Sequence, residues 1–179
     1  MTLFFISDLH FDHANIIDYC DRPFESVEEM NEALVRSWND VVSDEDVVLY
    51  LGDFAWWDVE NVRSFASRVN GSMALVRGNH DEFDVEDVPF PVLDSYSVSV
   101  SGYQFYCSHY PEDVPEGANW WNVHGHVHNN NLETYPFINP DANRVNVSCE
   151  VIAYTPVPVA TVVQLLDAGD RVRTYSSET

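Results

Sequence analysis

Three apolar runs in the first 80 residues, at 3–7, 46–51 and 72–77, each stop at a polar cluster, and amphipathic segments separate them. Runs of five or six residues rich in Val, Leu, Ile and Phe and bounded by Gly, Asn and Asp read as buried strands. Before the second run, Ser26 and Glu29 form a capping-box pattern, and Val27, Met30, Leu34, Trp38 and Val41 then recur at spacings of three and four. Before the third, Asp58 stands in N-cap position ahead of Val59, Val62, Phe65, Ala66 and Val69. Residues 14–20 suit a further short helix. The order β, α, α, β, α, β predicts a layered α/β fold whose chemistry lies in loops at the carboxyl ends of the strands.

The second half changes texture. Stretches 95–100 and 103–108 flank Ser101-Gly102, a hairpin turn, and short strands are expected at 119–125 and 143–148. Residues 161–166 fit either helix or strand, and 171–176 read as a last edge strand. There is no internal repeat or linker, and 179 residues suffice for one well-packed core. The expectation is one domain spanning 1–179, with a mixed or two-sheet core.

Charge adds a second constraint. Eight basic residues, all Arg, face 30 acidic ones, for a net charge of −22. The acids are scattered through periodic apolar segments, so they belong to a folded surface rather than a solvating tail. Such a surface repels itself in dilute buffer, whereas at about 1 M salt the Debye length is roughly 3 Å and the repulsion is screened. This points to the cytoplasm of a halophile. Cys20, Cys107 and Cys149 are odd in number and unevenly spaced, which suits reduced, buried thiols. No leader-like segment or long apolar span directs the chain to a membrane.

Five strand ends carry candidate ligands: Asp8 and His10; Gly52-Asp53; Gly78-Asn79-His80-Asp81; Ser108-His109; and Gly125-His126-Val127-His128. Any one of them alone reads as a turn or an ordinary histidine. Together they converge carboxylate, imidazole and carboxamide donors, a mixture suited to Mn, Fe, Zn or Ni, while the lack of a Cys pair argues against a structural zinc site.

The ordered set DLH, GD, GNHD, SH and GHVH resembles the calcineurin-like metallophosphoesterases over residues 8–128, and the text DLHFDHANII, RPF and EEMNEAL resembles a small, single-domain branch of them. The resemblance implies two mixed β-sheets packed face to face with flanking helices, without a cap domain. It implies two divalent metal ions, Mn foremost and Fe, Ni or Zn as alternatives. Asp8, His10 and His128 would hold one, Asn79, His109 and His126 the other, and Asp53 would bridge them. A hydroxide held between ions about 3.5–4 Å apart would then attack phosphorus in line. His80 would stabilise the phosphoryl oxygens and protonate the leaving alkoxide, with Asp81 beside it to fix its tautomer.

Further residues are weighed beside these. His13 is read as a substrate contact or a support for the ligands, Asp12 as a helix cap, and His124 as an ordinary strand residue. Arg22 and Arg77 are candidates for phosphate. Trp56 or Trp57, and Tyr110, could stack a base, which favours a phosphodiesterase acting on nucleotide-like or nucleic-acid-derived substrates. A phosphomonoesterase or nucleotidase of the same mechanism is the alternative. A non-catalytic scaffold of the same fold is disfavoured because His80 and all seven ligand positions are present, and a metal buffer would leave His80 without a role. A homodimer remains open, since the fold often dimerises.

Overall fold

The computed structural model describes residues 1–56, 58–112, 114 and 119–176. The first half follows the predicted order: β1 (Leu3–Ile6), α1 (Asn15–Tyr19), α2 (Val27–Asn39), β2 (Val47–Tyr50), α3 (Val59–Ala66) and β3 (Ser72–Val76). Ser26 Oγ accepts from the Glu29 N–H at 3.1 Å and Asp58 Oδ1 from the Glu60 N–H at 3.0 Å, so both caps act as the sequence suggests. In α2 the stripe Met30, Leu34 and Trp38 is buried, while Val41, beyond the helix end, is exposed.

After β3 come β4 (Val92–Leu93), β5 (Tyr96–Val100), β6 (Tyr103–Cys107), β7 (Trp120–His124), β8 (Ile138–Asn139), β9 (Arg144–Asn146), β10 (Val157–Pro158) and α4 (Val159–Ala168). The hairpin β5–β6 turns on Ser101 and Gly102, both at positive φ. The ambiguous stretch 161–166 is helical. Val159, Val162, Val163 and Leu166 share its buried face, and left-handed Gly169 ends it. The edge strand expected at 171–176 does not form. Only Val172 bridges to Ile138, because β8 is two residues long and offers a single rung.

Two five-stranded mixed sheets result, in the orders β10-β1-β2-β3-β4 and β5-β6-β7-β9-β8. In the first, β1 to β4 are parallel and β10 is antiparallel; in the second, β6, β7 and β9 are parallel. Phe5 of β1 meets Phe105 of β6 edge to face at 5.7 Å, in the core between the sheets. Phe65 of α3 stacks on Phe11 at 4.3 Å, and Trp38 of α2 lies over Tyr50. At the carboxyl end of β1 the sheets are stitched together. Ser7 donates its N–H to the Val147 carbonyl and accepts from the Cys149 N–H, both at 3.0 Å. All three cysteines are free and buried.

Candidate metal centre

Parallel strands place their carboxyl ends side by side, so the loops after β1, β2 and β3 meet those after β6 and β7 across the stitched edge. The β1–β2 ladder runs on into the loops: the Asp8 N–H donates to the Gly52 carbonyl at 3.0 Å and the His10 N–H to that of Asp53 at 3.1 Å. Asp8, His10, Asp53, His126 and His128 all adopt φ between 50° and 68°. Left-handed backbone at a non-glycine residue costs of order 1–3 kcal/mol and persists only where its surroundings enforce it. Here it turns five of the seven expected ligands toward one point.

The donors fall into two groups. Ligand atoms of Asp8, His10 and His128 lie within 4.8 Å of one another, and so do those of Asp8, Asp53 and His109. Asp53 Oδ2 is 3.5 Å from His10 Nε2 and 3.5 Å from His109 Nε2, midway between the groups. Asn79 Oδ1 sits 3.0 Å from His109 Nε2 and 2.9 Å from His126 Nδ1. His109 Nδ1 faces the Leu51 carbonyl at 2.8 Å, so it carries the proton and leaves Nε2 a lone pair.

These groups are poorly satisfied by the protein alone. His10 Nε2 is buried without a hydrogen-bond partner. Burial, reinforced by Asp8 and Asp81, pushes the Asp53 carboxyl well above the ordinary carboxylate range despite the opposing pull of His109. Burial and the neighbouring His128 push His10 far below the ordinary imidazole value. A carboxylate reluctant to ionise beside an imidazole reluctant to protonate is the arrangement that a divalent cation resolves, and the O and N donor set suits it. The glycines permit the approach. A methyl group on Gly78 would land on the Asp53 carboxylate, and one on Gly125 on Ser7 Oγ and the Asp8 carboxylate.

Residues 1–165 match the Calcineurin-like phosphoesterase family. The chain belongs to that family. A protein of Methanocaldococcus jannaschii, MJ1445, is 43% identical over 177 residues, 97% of this chain and 96% of that protein. The crystal structure of AQ665, a protein of unknown function from Aquifex aeolicus, superposes with a TM-score of 0.72 at 23% identity, covering 92% of this chain and 98% of the other; the two share a fold.

Around these donors the other expected residues divide. The His80 N–H donates to Asp53 Oδ1 at 2.9 Å, and its half-buried ring stands 5.4 Å from that of His10. Asp81 corrects its expected role. Its buried carboxylate turns inward and accepts from the N–H groups of Asp53 (2.8 Å), Gly78 (2.8 Å) and Phe54 (3.1 Å), holding the loop that carries Asp53 rather than the His80 ring.

Arg22 corrects too. Its side chain is fully buried and donates to the carbonyls of Asp8 and Leu9 and to Glu150, so it faces the protein and not a phosphate. Arg77 donates to the carbonyls of Asp81 and Phe83. It also lines, with Asn79, Asp94, His109, Tyr110 and Glu112, a cavity of about 270 Å³ beside the ligands.

His13 is buried and stacked on Trp56 at 3.6 Å and 6°, with Trp56 5.8 Å from the His80 ring; burial, then His80, lowers its pKa to about 4. The face of Trp56 that His13 covers cannot take a base. Trp57 lies outside the described residues. Tyr110 is 46% exposed, its ring 4.3 Å from that of His126. Asp12 caps no helix: Ala14 occupies that position at α1, and Asp12 instead accepts from Asn31 and Asn61, tying the loop to α2 and α3. His124 stays within β7, its Nδ1 on the Gly125 carbonyl.

Sequence reasoning missed Glu150. Its carboxylate contacts His128 Nδ1 at 3.0 and 3.2 Å and Arg22 Nη2 at 2.7 Å. Burial opposes both charges, yet Arg22 and His128 hold Glu150 down at about 2, and Asp8 and Glu150 hold His128 up at about 11. The signal was present in the sequence: Glu150 follows the strand predicted at 143–148, the same strand-end position that marked the expected ligands.

Proposed function

We propose that this metal-dependent phosphoesterase works with two divalent cations, Mn foremost, and prefers phosphodiesters. The observation that carries the reading is the position of Asp53 Oδ2, 3.5 Å from a nitrogen of each histidine group. Asp8, His10 and His128 would hold one cation, Asn79, His109 and His126 the other, and Asp53 would serve both. When bound, the cations supply Lewis acidity toward the phosphoryl oxygens and activate water at neutral pH.

The chain's own residues do the rest. Asp53 Oδ1 fixes the His80 backbone, which presents the imidazole beside the ligands as donor to a phosphoryl oxygen and proton source for the leaving oxygen. Asp81 keeps Asp53 in place through its N–H. Tyr110 offers a ring at the open rim, on which a base gains about 1–3 kcal/mol by stacking. A diester carries one negative charge fewer than a monoester and is repelled less by a surface of net charge −22. We place the protein in the cytoplasm of a halophile, as a single domain over 1–179.

Turnover of bis-p-nitrophenyl phosphate and p-nitrophenyl phosphate by Mn-loaded protein, at low and at molar KCl, tests this. The diester is expected to be the better substrate, with the gap narrowing in salt. A monoester that wins in both conditions makes the enzyme a phosphatase. His80→Asn is expected to lower kcat by roughly 10²–10⁴-fold with two cations still bound, and near-normal turnover removes the role given to His80.

A further inference from the structure

We infer that Glu150 is the positioning residue of the first cation subsite, and that Arg22 and Glu150 together make this subsite pre-formed and tighter while the second is assembled by the cation itself. The inference rests on the two-cation reading above. Glu150 accepts from His128 Nδ1 at 3.0 Å, which commits that nitrogen to carrying a proton, so Nε2, 3.9 Å from Asp8 Oδ1, is the nitrogen that gives up its proton to a cation. The Glu150 side chain is 2% exposed and that of Arg22 0%, so neither charge is screened by water.

Arg22 ties the remaining ligands to the same pair. Its Nε and Nη2 donate to Glu150 Oε1 at 2.9 and 2.7 Å, Nη2 also to the Asp8 carbonyl at 2.7 Å, and Nη1 to the Leu9 carbonyl at 2.7 Å. Asp8 and His10 are thereby held through their backbone and His128 through its ring, all by one buried ion pair. Cys149 adds a contact from its Sγ to the Asp8 carbonyl at 3.1 Å.

Among the described residues the second subsite has no such backing. His109 leans on a neutral carbonyl, that of Leu51. His126 Nδ1 faces Asn79 Oδ1 and His109 Nε2, which are ligand atoms themselves, and Asn79 is exposed. A carboxylate behind an imidazole raises its basicity and fixes its orientation, and its removal typically costs about 10- to 100-fold in metal affinity. Among the described residues, the first subsite has that support and the second does not.

Titration of metal-free protein with Mn in molar KCl, followed by calorimetry, tests this with no turnover involved. Wild type is expected to bind one cation tightly and a second more weakly. Glu150→Gln is expected to weaken the tight event about 10- to 100-fold and leave the weak one unchanged. Arg22→Met combined with Glu150→Gln, which leaves no buried charge unpaired, should weaken it likewise. A folded variant of either kind with wild-type constants overturns the inference.

A measurement on the wild type stands independently of variant folding. Nitrogen-15 chemical shifts of the imidazoles should report His128 protonated on Nδ1 both before and after loading, with Nε2 losing its proton on loading, and a proton on Nε2 in the loaded protein overturns the assignment. So does a third cation, because Cys20, His128 and Glu150 also lie within 4.8 Å of one another, and a metal there would make Glu150 a ligand. Failure of wild type to bind two cations is a different result: it removes the two-cation reading itself.

Discussion

Asp81 stands next to His80 in the chain, and adjacency suggested a catalytic partnership that the fold does not make. Backbone direction at the GNHD turn sends the two side chains to different places: the imidazole toward His10 and the carboxylate under the Asp53 loop. Asp81→Ala is therefore expected to strip acceptors from three N–H groups, costing at least about 1–3 kcal/mol, and to reduce cation binding because Asp53 loses its anchor. Thermal unfolding and Mn titration read both effects. A variant with full Mn binding but an altered pH–rate profile would return Asp81 to the role of tautomer-fixing partner. The contrast with Glu150 is instructive at this scale: a residue adjacent in sequence proved to be scaffold, while one 22 positions from His128 touches its ring.

At the scale of elements, the site depends on how loops leave strands. The parallel registers β1–β2 and β6–β7 bring four strand ends together, and glycines at the loop starts let backbone and carboxylate approach where a side chain would intrude. Gly125 joins β7 to His126 and His128, and a methyl group there meets Ser7 and Asp8, the end of β1. Gly125→Ala is expected to weaken Mn binding at the first subsite by disturbing Asp8, while the protein still unfolds cooperatively. Unchanged Mn affinity would show that the loops can yield without moving the ligand. The caps at Ser26 and Asp58 are local, and each formed as its spacing implied. The strand expected at 171–176 depended on a partner, and β8 is too short to be one.

For the whole molecule the dominant quantity is charge. Arg63, Arg68, Arg171 and Arg173 pair with acids on the surface, but exposed pairs are worth about 0–1 kcal/mol each, and the 30 acids far outnumber the 8 arginines. Self-repulsion of the folded surface is left to the solvent to screen. The melting temperature is expected to rise steeply from dilute to molar KCl, measured by thermal scanning. A melting temperature indifferent to salt would remove the halophile reading. No helix among the described residues is long and apolar enough to cross a membrane.

Periodicity, caps and the polar stops after each apolar run are local properties, so the order of the first six elements, the hairpin at Ser101-Gly102 and the strand ends that carry the candidate ligands were legible in the sequence alone. They follow from side-chain chemistry and spacing within a dozen residues. Tertiary structure decided what local spacing cannot encode. The β7–β9 pairing brings Glu150 to His128, the chain after α1 brings Arg22 to Asp8, and the meeting of the two sheets at Ser7 and Val147 joins Arg22 to Glu150, contacts separated by 22, 14 and 128 residues in the chain. Arg22 reads as a phosphate contact until the fold buries it, because the cost of desolvating a guanidinium is offset only by a carboxylate and carbonyls that arrive from elsewhere.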